Sequence, residues 1–228
     1  MKKLLLFGAA LFAAVSINAA SFAGFDGRKG DLGVQIHDQN LIQNQNNITL
    51  NETDANDHKY SIQNTASGEC SFTMGGVEFY GSDQQAGKDI YKTYKTYIQP
   101  NGARRRVTIP TVAGEKVRIY VQDAITIAVE GASEGASIAL AAWGSEKEDF
   151  TELTATGSSI ILWSDDRAES PTAAKFKLGA ILPAGTSALI NVEGDADKAV
   201  KFMRNGQLYI QRGNRLYNAL GAVVEVAE

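Results

Sequence analysis

Short apolar segments of strand length recur along this chain with no long amphipathic helix between them, and that pattern narrows the fold more than any other feature. They fall at 48–50, 60–63, 70–79, 106–109, 116–121, 125–129, 137–142, 150–155, 160–163, 175–178 and 188–192. Gly, Asp, Ser and Asn punctuate them, as in an antiparallel sandwich or barrel and unlike a parallel sheet, which needs crossover helices. A further strand is expected at 32–36, where Leu32, Val34 and Ile36 alternate in a stretch rich in Gly, Asn and Gln. The helix-capable window is 138–148, dense in Ala but weakened by Gly135 beside it and Gly144 within it. Val112-Ala113-Gly114-Glu115 and Leu182-Pro183-Ala184-Gly185 read as tight turns that enter strands. The expected fold is therefore all-β: an antiparallel, jelly-roll-like β-sandwich over residues 21–197, followed by a C-terminal β-meander over 198–228. Its core should take Val107, Ile109, Val117, Ile119, Val121, Ile125, Ile127, Val129, Ile138, Leu140, Ile161 and Ile190.

The meander is the sharpest local reading. Asn205-Gly206 and Gly213-Asn214 are two-residue hairpin signals, because both permit the positive φ that primed turns require. With those turns Phe202 faces Tyr209, Met203 faces Leu208 and Ile210 faces Tyr217. Such a ribbon is marginal alone in water, so it must add to a larger body or dock to a partner.

At the other end, Met1-Lys2-Lys3 precedes an apolar run from Leu4 to Val15 and then small residues through Ala20. That is the pattern of a secretory signal peptide over residues 1–20, with cleavage after Ala19, Ala20 or Ala23, and it predicts a protein that is secreted or held at the cell surface. Later segments are too short and polar for a membrane span, so no transmembrane segment is expected after cleavage. Loss of Lys2 and Lys3 takes the formal charge from −4 to about −6, which argues against nucleic acid as a partner. Cys70 is the sole cysteine, so an internal disulfide is impossible and stability is expected from a core, with or without help from a metal. Its alternation with Phe72 and Met74 reads as a small buried strand residue.

Catalytic chemistry finds little footing. His37 and His58 are the chain's two histidines, both in polar surroundings without a metal-ligand spacing, and read as exposed and uninvolved. No Gly-x-Ser-x-Gly elbow marks a nucleophile, and Glu78, Asp149 and Glu152 read as solvated surface. Asp165 with Asp166, and Glu193 with Asp195 and Asp197, form two acidic loops that could offer oxygens to a structural Ca²⁺, although a polar turn is the simpler reading of each. Arg104, Arg105 and Arg106 form a basic run, read as a solvated face.

Aromatic residues carry the binding expectation. Tyr91, Tyr94 and Tyr97 recur every third residue, interleaved with Lys92 and Lys95. Tyrosines on a loop can stack on sugar rings, and the lysines suit an acidic polysaccharide. The competing reading is that the rings close the end of the core. Trp143 and Trp163 are read first as core and second as a platform.

The phrase Tyr97-Ile98-Gln99-Pro100-Asn101-Gly102-Ala103-Arg104-Arg105-Arg106-Val107-Thr108-Ile109, followed by Gly114-Glu115-Lys116-Val117 and Ala124-Ile125-Thr126-Ile127, resembles an accessory β-sandwich of secreted Bacteroidetes-type proteins. That module looks like a carbohydrate-binding domain of jelly-roll type and occurs beside pectate-lyase-like domains. The resemblance runs over about residues 49–193. The tail phrase Arg204-Asn205-Gly206-Gln207-Leu208-Tyr209-Ile210, with Leu216-Tyr217-Asn218-Ala219-Leu220-Gly221, is similar to a short type IX secretion sorting element. Together they imply a non-catalytic protein that binds a polysaccharide or cell-surface glycan and engages the secretion machinery through its tail. The alternative is a structural or protein-interaction surface protein without glycan binding.

Overall fold

The computed structural model describes residues 20–184 in full and, beyond them, the backbone of 200–204, 207–212, 215–218 and 223–226. The expected leader, the strand at 188–192, Ile190, the acidic loop of Glu193, Asp195 and Asp197, and the tail turns at 205–206 and 213–214 lie outside the described residues.

The chain opens with β1 (Phe25–Asp26), helix α1 (Leu32–Asp38), β2 (Ile42–Asn46), β3 (Ile48–Asp54), β4 (Lys59–Asn64), β5 (Gly68–Met74), β6 (Val77–Asp83), β7 (Asp89–Thr93) and β8 (Ile98–Pro100). It continues through β9 (Arg105–Pro110), β10 (Lys116–Val121), β11 (Ile125–Glu130), β12 (Ser137–Leu140), β13 (Thr151–Thr154), β14 (Ser159–Trp163) and β15 (Leu178–Pro183). One sheet runs β13-β10-β15-β8-β7-β4-β3, with β1 added on β15, and the other runs β12-β11-β14-β9-β6-β5-β2. Strands pair antiparallel throughout both. The fold is all-β, two antiparallel sheets enclosing one core, as the strand spacing predicts.

Alternation builds that core. Cys70, Phe72 and Met74 of β5, Phe79 of β6, Val107 and Ile109 of β9, and Val117, Ile119 and Val121 of β10 are buried in a single cluster. Their intervening neighbours turn outward, because successive side chains of a strand leave on opposite faces. The Phe72 and Phe79 rings stack 5.0 Å apart, and Tyr91 meets them edge-on at 5.6 and 5.5 Å.

Three local expectations need correction. Residues 32–38 form a helix, since Leu32 and Ile36 are four apart and share its buried side while Val34 is 41% exposed. The run at 70–79 is a hairpin. Gly75 and Gly76, at φ of +57° and +82°, make a two-residue turn that sets Met74 opposite Val77. The strand expected at 137–142 is present as β12, and the Ala-dense window that Gly135 and Gly144 weaken continues into a turn. The strand expected at 175–178 begins at Leu178, where β15 starts. Of the expected core residues, Ile161 faces outward because β14 buries Ile160 and Leu162, and Ile125 is half-buried.

The tail forms its own sheet of β16 (Val200–Arg204), β17 (Gln207–Arg212), β18 (Arg215–Asn218) and β19 (Val223–Val226). Phe202 is opposite Tyr209, Met203 opposite Leu208 and Ile210 opposite Tyr217, the register that the two turn signals predict. Among the described residues no helix is long and apolar enough to cross a membrane.

Candidate functional site

Where β6 ends and β9 begins, a groove of two adjoining hollows opens, of about 630 and 330 Å³, with Ser82 and Arg104 common to both. The smaller hollow is floored by outward side chains of the β6-β9-β14 ladder. Tyr80 lies opposite Arg106, and Arg106 opposite Trp163, so the three form one row on the outer face. The Arg106 guanidinium sits 3.7 Å from the Tyr80 ring centre and 5.8 Å from that of Trp163. Arg167 adds a second cation 4.9 Å from Trp163, whose indole N–H donates to Glu130 at 3.1 Å. Burial, and then the hydrogen bond with Glu69, push the Tyr80 hydroxyl up to about 12, so it stays neutral at physiological pH.

Asp165 shapes this wall. It is buried, and its carboxylate accepts the backbone N–H of Arg104 at 2.5 Å and of Arg167 at 2.9 Å. Both arginines are held in the left-handed region, at φ of +61° and +59°, a conformation that costs a non-glycine residue energy unless its surroundings fix it. The neighbouring Ser164, buried as well, accepts the Arg105 N–H and donates to the Gly102 carbonyl. The loop after β8 and the end of β14 are thereby locked together.

The larger hollow lies over Arg105, whose side chain is buried among the Ser82 carbonyl and the Asp83 carboxylate, with its Nε unpartnered. Burial opposes ionisation of Asp83, yet hydrogen bonds from the Gln85 backbone and Arg105 outweigh it and hold the carboxyl below its usual range. Asp89 is similarly engaged, by Gln63 at 2.8 Å and Lys92 at 3.1 Å. The groove's acids thus have partners of their own. Lys88 and Arg104 are exposed and, among the described residues, pair with no carboxylate. Asp165 has only neutral backbone partners, so the groove's charge is positive on balance, from Lys88 and Arg104 against that one carboxylate, beside an aromatic floor, which is the chemistry of an anionic ligand with a ring to stack.

The sequence-predicted residues divide between this groove and other places. Trp163 is half-buried on the groove's floor, not in the core. Tyr91 is a correction: it is 1% exposed, its hydroxyl lies 2.9 Å from the Tyr80 carbonyl and 3.0 Å from that of Arg106, and its ring is not available to a ligand. Tyr94 and Tyr97 stack at 4.5 Å across the β7–β8 turn, at the other end of those strands from the groove. Tyr97 packs against the small outer cluster of Tyr120, Trp143 and Ala180. Lys92 is tied to Asp89, and Lys95 is exposed beside the tyrosine pair. Of the calcium candidates, Asp165 spends its oxygens on backbone N–H groups, and Asp166 accepts from Ala168 and Thr172, so both cap turns. The Arg104–Arg106 run is not a uniformly solvated face, for Arg105 points inward. Its alternation within β9 was the available signal for this groove.

The two histidines, expected to be uninvolved, stand ring to ring at 4.3 Å. They are separated in sequence and carried by different elements, so spacing could not reveal them. Comparison with protein-family models, with curated proteins and with solved structures finds no match to this chain.

Proposed function

We propose that this is a secreted, non-catalytic β-sandwich that binds an acidic polysaccharide in the groove at Trp163, the sandwich being of the jelly-roll kind. The observation that carries the reading is the Tyr80-Arg106-Trp163 row beside the unpaired cations Arg104 and Lys88. A sugar ring can lie on the aromatic floor while its carboxylate meets a guanidinium, whose planar fork matches carboxylate geometry. Export is supported by the basic start, the apolar run and the small residues before Ser21. It also accords with the way Ser21 is held, its backbone N–H and hydroxyl both donating to Glu115, at 3.1 and 2.7 Å. The tail is read as a docking element for the secretion machinery, since the outer strands β16 and β19 of its sheet each pair on one side among the described residues.

The test is retention on affinity gels of polygalacturonate and other carboxylated glycans, with neutral polysaccharides alongside. Wild type should be retarded by the acidic gels, Trp163→Ala and Arg104→Ala much less, and Tyr94→Ala no differently from wild type. Absence of retention on every glycan would leave a surface protein with a structural or protein-interaction role. Export of the chain lacking residues 198–228, at normal level, would remove the docking role of the tail.

A further inference from the structure

Away from the groove, α1 and the β3–β4 turn assemble a second group of side chains. Gly33 makes the approach possible: a Cβ at that position would stand 2.8 Å from the carbonyl oxygens of both Asp57 and His58, so only glycine lets the helix lie this close to the turn. The contact brings His37, in the last turn of α1, against His58, whose backbone is held at φ +45°. Their rings stack 4.3 Å apart at 27°. His37 Nδ1 lies 2.5 Å from an Asp38 oxygen and His58 Nδ1 lies 3.0 Å from Glu52 Oε1. Ligand-capable atoms of His37, Glu52 and His58 all lie within 4.8 Å of one another.

Two imidazoles and a carboxylate are the donor set of a divalent transition ion of the zinc and copper type, whereas calcium and magnesium select oxygen alone. We infer that His37, Glu52 and His58 bind one such ion on the protein surface. Donor atoms about 2.0–2.2 Å from zinc stand about 3.4 Å apart around it, so the three side chains need close by roughly an ångström, within reach of side-chain rotation at an exposed site. Asp38, holding Nδ1 of His37, fixes the ring so that Nε2 presents its lone pair. Coordination exchanges the His58–Glu52 hydrogen bond for a bond to the metal. Three protein donors leave at least one position for water or an exogenous ligand. With two histidines in the whole chain and its one thiol, Cys70, 1% exposed, no other imidazole or accessible thiol competes for the ion.

The experiment is a calorimetric Zn²⁺ titration of the full chain without a histidine tag. One ion per chain is expected, with affinity at least tenfold weaker in His37→Ala, His58→Ala and Glu52→Gln. Thermal melts of the metal-free variants should match the metal-free wild type, so that weaker binding is not unfolding. Cu²⁺ bound at one equivalent should show nitrogen hyperfine coupling in its electron paramagnetic resonance spectrum, and the His37→Ala/His58→Ala double variant should lose that coupling. No zinc uptake by wild type, or unchanged stoichiometry and affinity in the double variant, would overturn the site.

Discussion

Tyr91 lies where a buried ring and a buried hydroxyl must both be satisfied. Its ring meets Phe72 and Phe79 edge-on, and its hydroxyl reaches two strand carbonyls. Burial raises the hydroxyl's pKa, so it remains a donor across the working pH range. Tyr91→Phe is expected to lose about 1–2 kcal/mol of stability, and Tyr91→Ala about 3–5 kcal/mol as a cavity opens, both read from urea midpoints at unchanged slope. Neither should change glycan retention of the folded protein. Residue-level reading fails most where apolar residues are continuous. In Ile160-Ile161-Leu162-Trp163 every position is apolar, so the run fixes a strand but not its phase, and the choice of Ile161 for the core is off by one. The same shift carries Trp163 to the outer face and into the groove. Tyr91, by contrast, carries no mark in sequence that separates it from Tyr94 and Tyr97. The β7 strand alone decides which of them turns inward.

At the scale of elements, glycines do the work that periodicity cannot report. Gly75 has φ +57°, and a Cβ on it would sit 1.9 Å from the Gly24 carbonyl oxygen. The chain before β1 is fastened to that turn, with the Ala23 and Gly24 N–H groups both donating to the Gly75 carbonyl at 3.1 and 2.8 Å. Gly87 has a comparable φ of +75° but meets nothing within 4 Å. Gly87→Ala should therefore carry the conformational term alone, about 1–2 kcal/mol, and Gly75→Ala clearly more, in paired thermal melts. The β5–β6 hairpin was hidden in one continuous alternating stretch because Gly75-Gly76 turns it without the Asn or Asp that marks most such turns. The tail shows the opposite case: Asn-Gly and Gly-Asn declare its turns, and the strand register follows from them directly. Helix α1 could not be told from a strand by three apolar residues two apart, since such a triplet contains an i, i+4 pair.

For the molecule as a whole, the sandwich was legible because eleven short apolar runs between turn residues leave few other ways to bury them. The groove was not, because it is assembled from strand ends distant in sequence. Away from the groove, paired carboxylates set the protein's response to acid. Glu152, hydrogen-bonded by Lys116, has its carboxyl pKa lowered. Glu134 and Glu115 are lowered too, burial opposing and hydrogen bonds from Thr154 and Ser21 prevailing. A depressed carboxyl contributes stability above its unfolded pKa and loses it as pH falls through the folded value, so the melting temperature should drop below about pH 4. Added salt should shrink the effect, since these groups are largely solvated. Cys70 offers a different view of the same body. It is the chain's one thiol, 1% exposed, with Sγ 3.4 Å from the Gly81 carbonyl, and burial raises its pKa. A thiol reagent can reach it only while the β5–β6 sheet is open. When closing outpaces modification, the labelling rate is the intrinsic thiol rate multiplied by the open fraction, so one unmodified cysteine serves as a clock for the sandwich's own breathing.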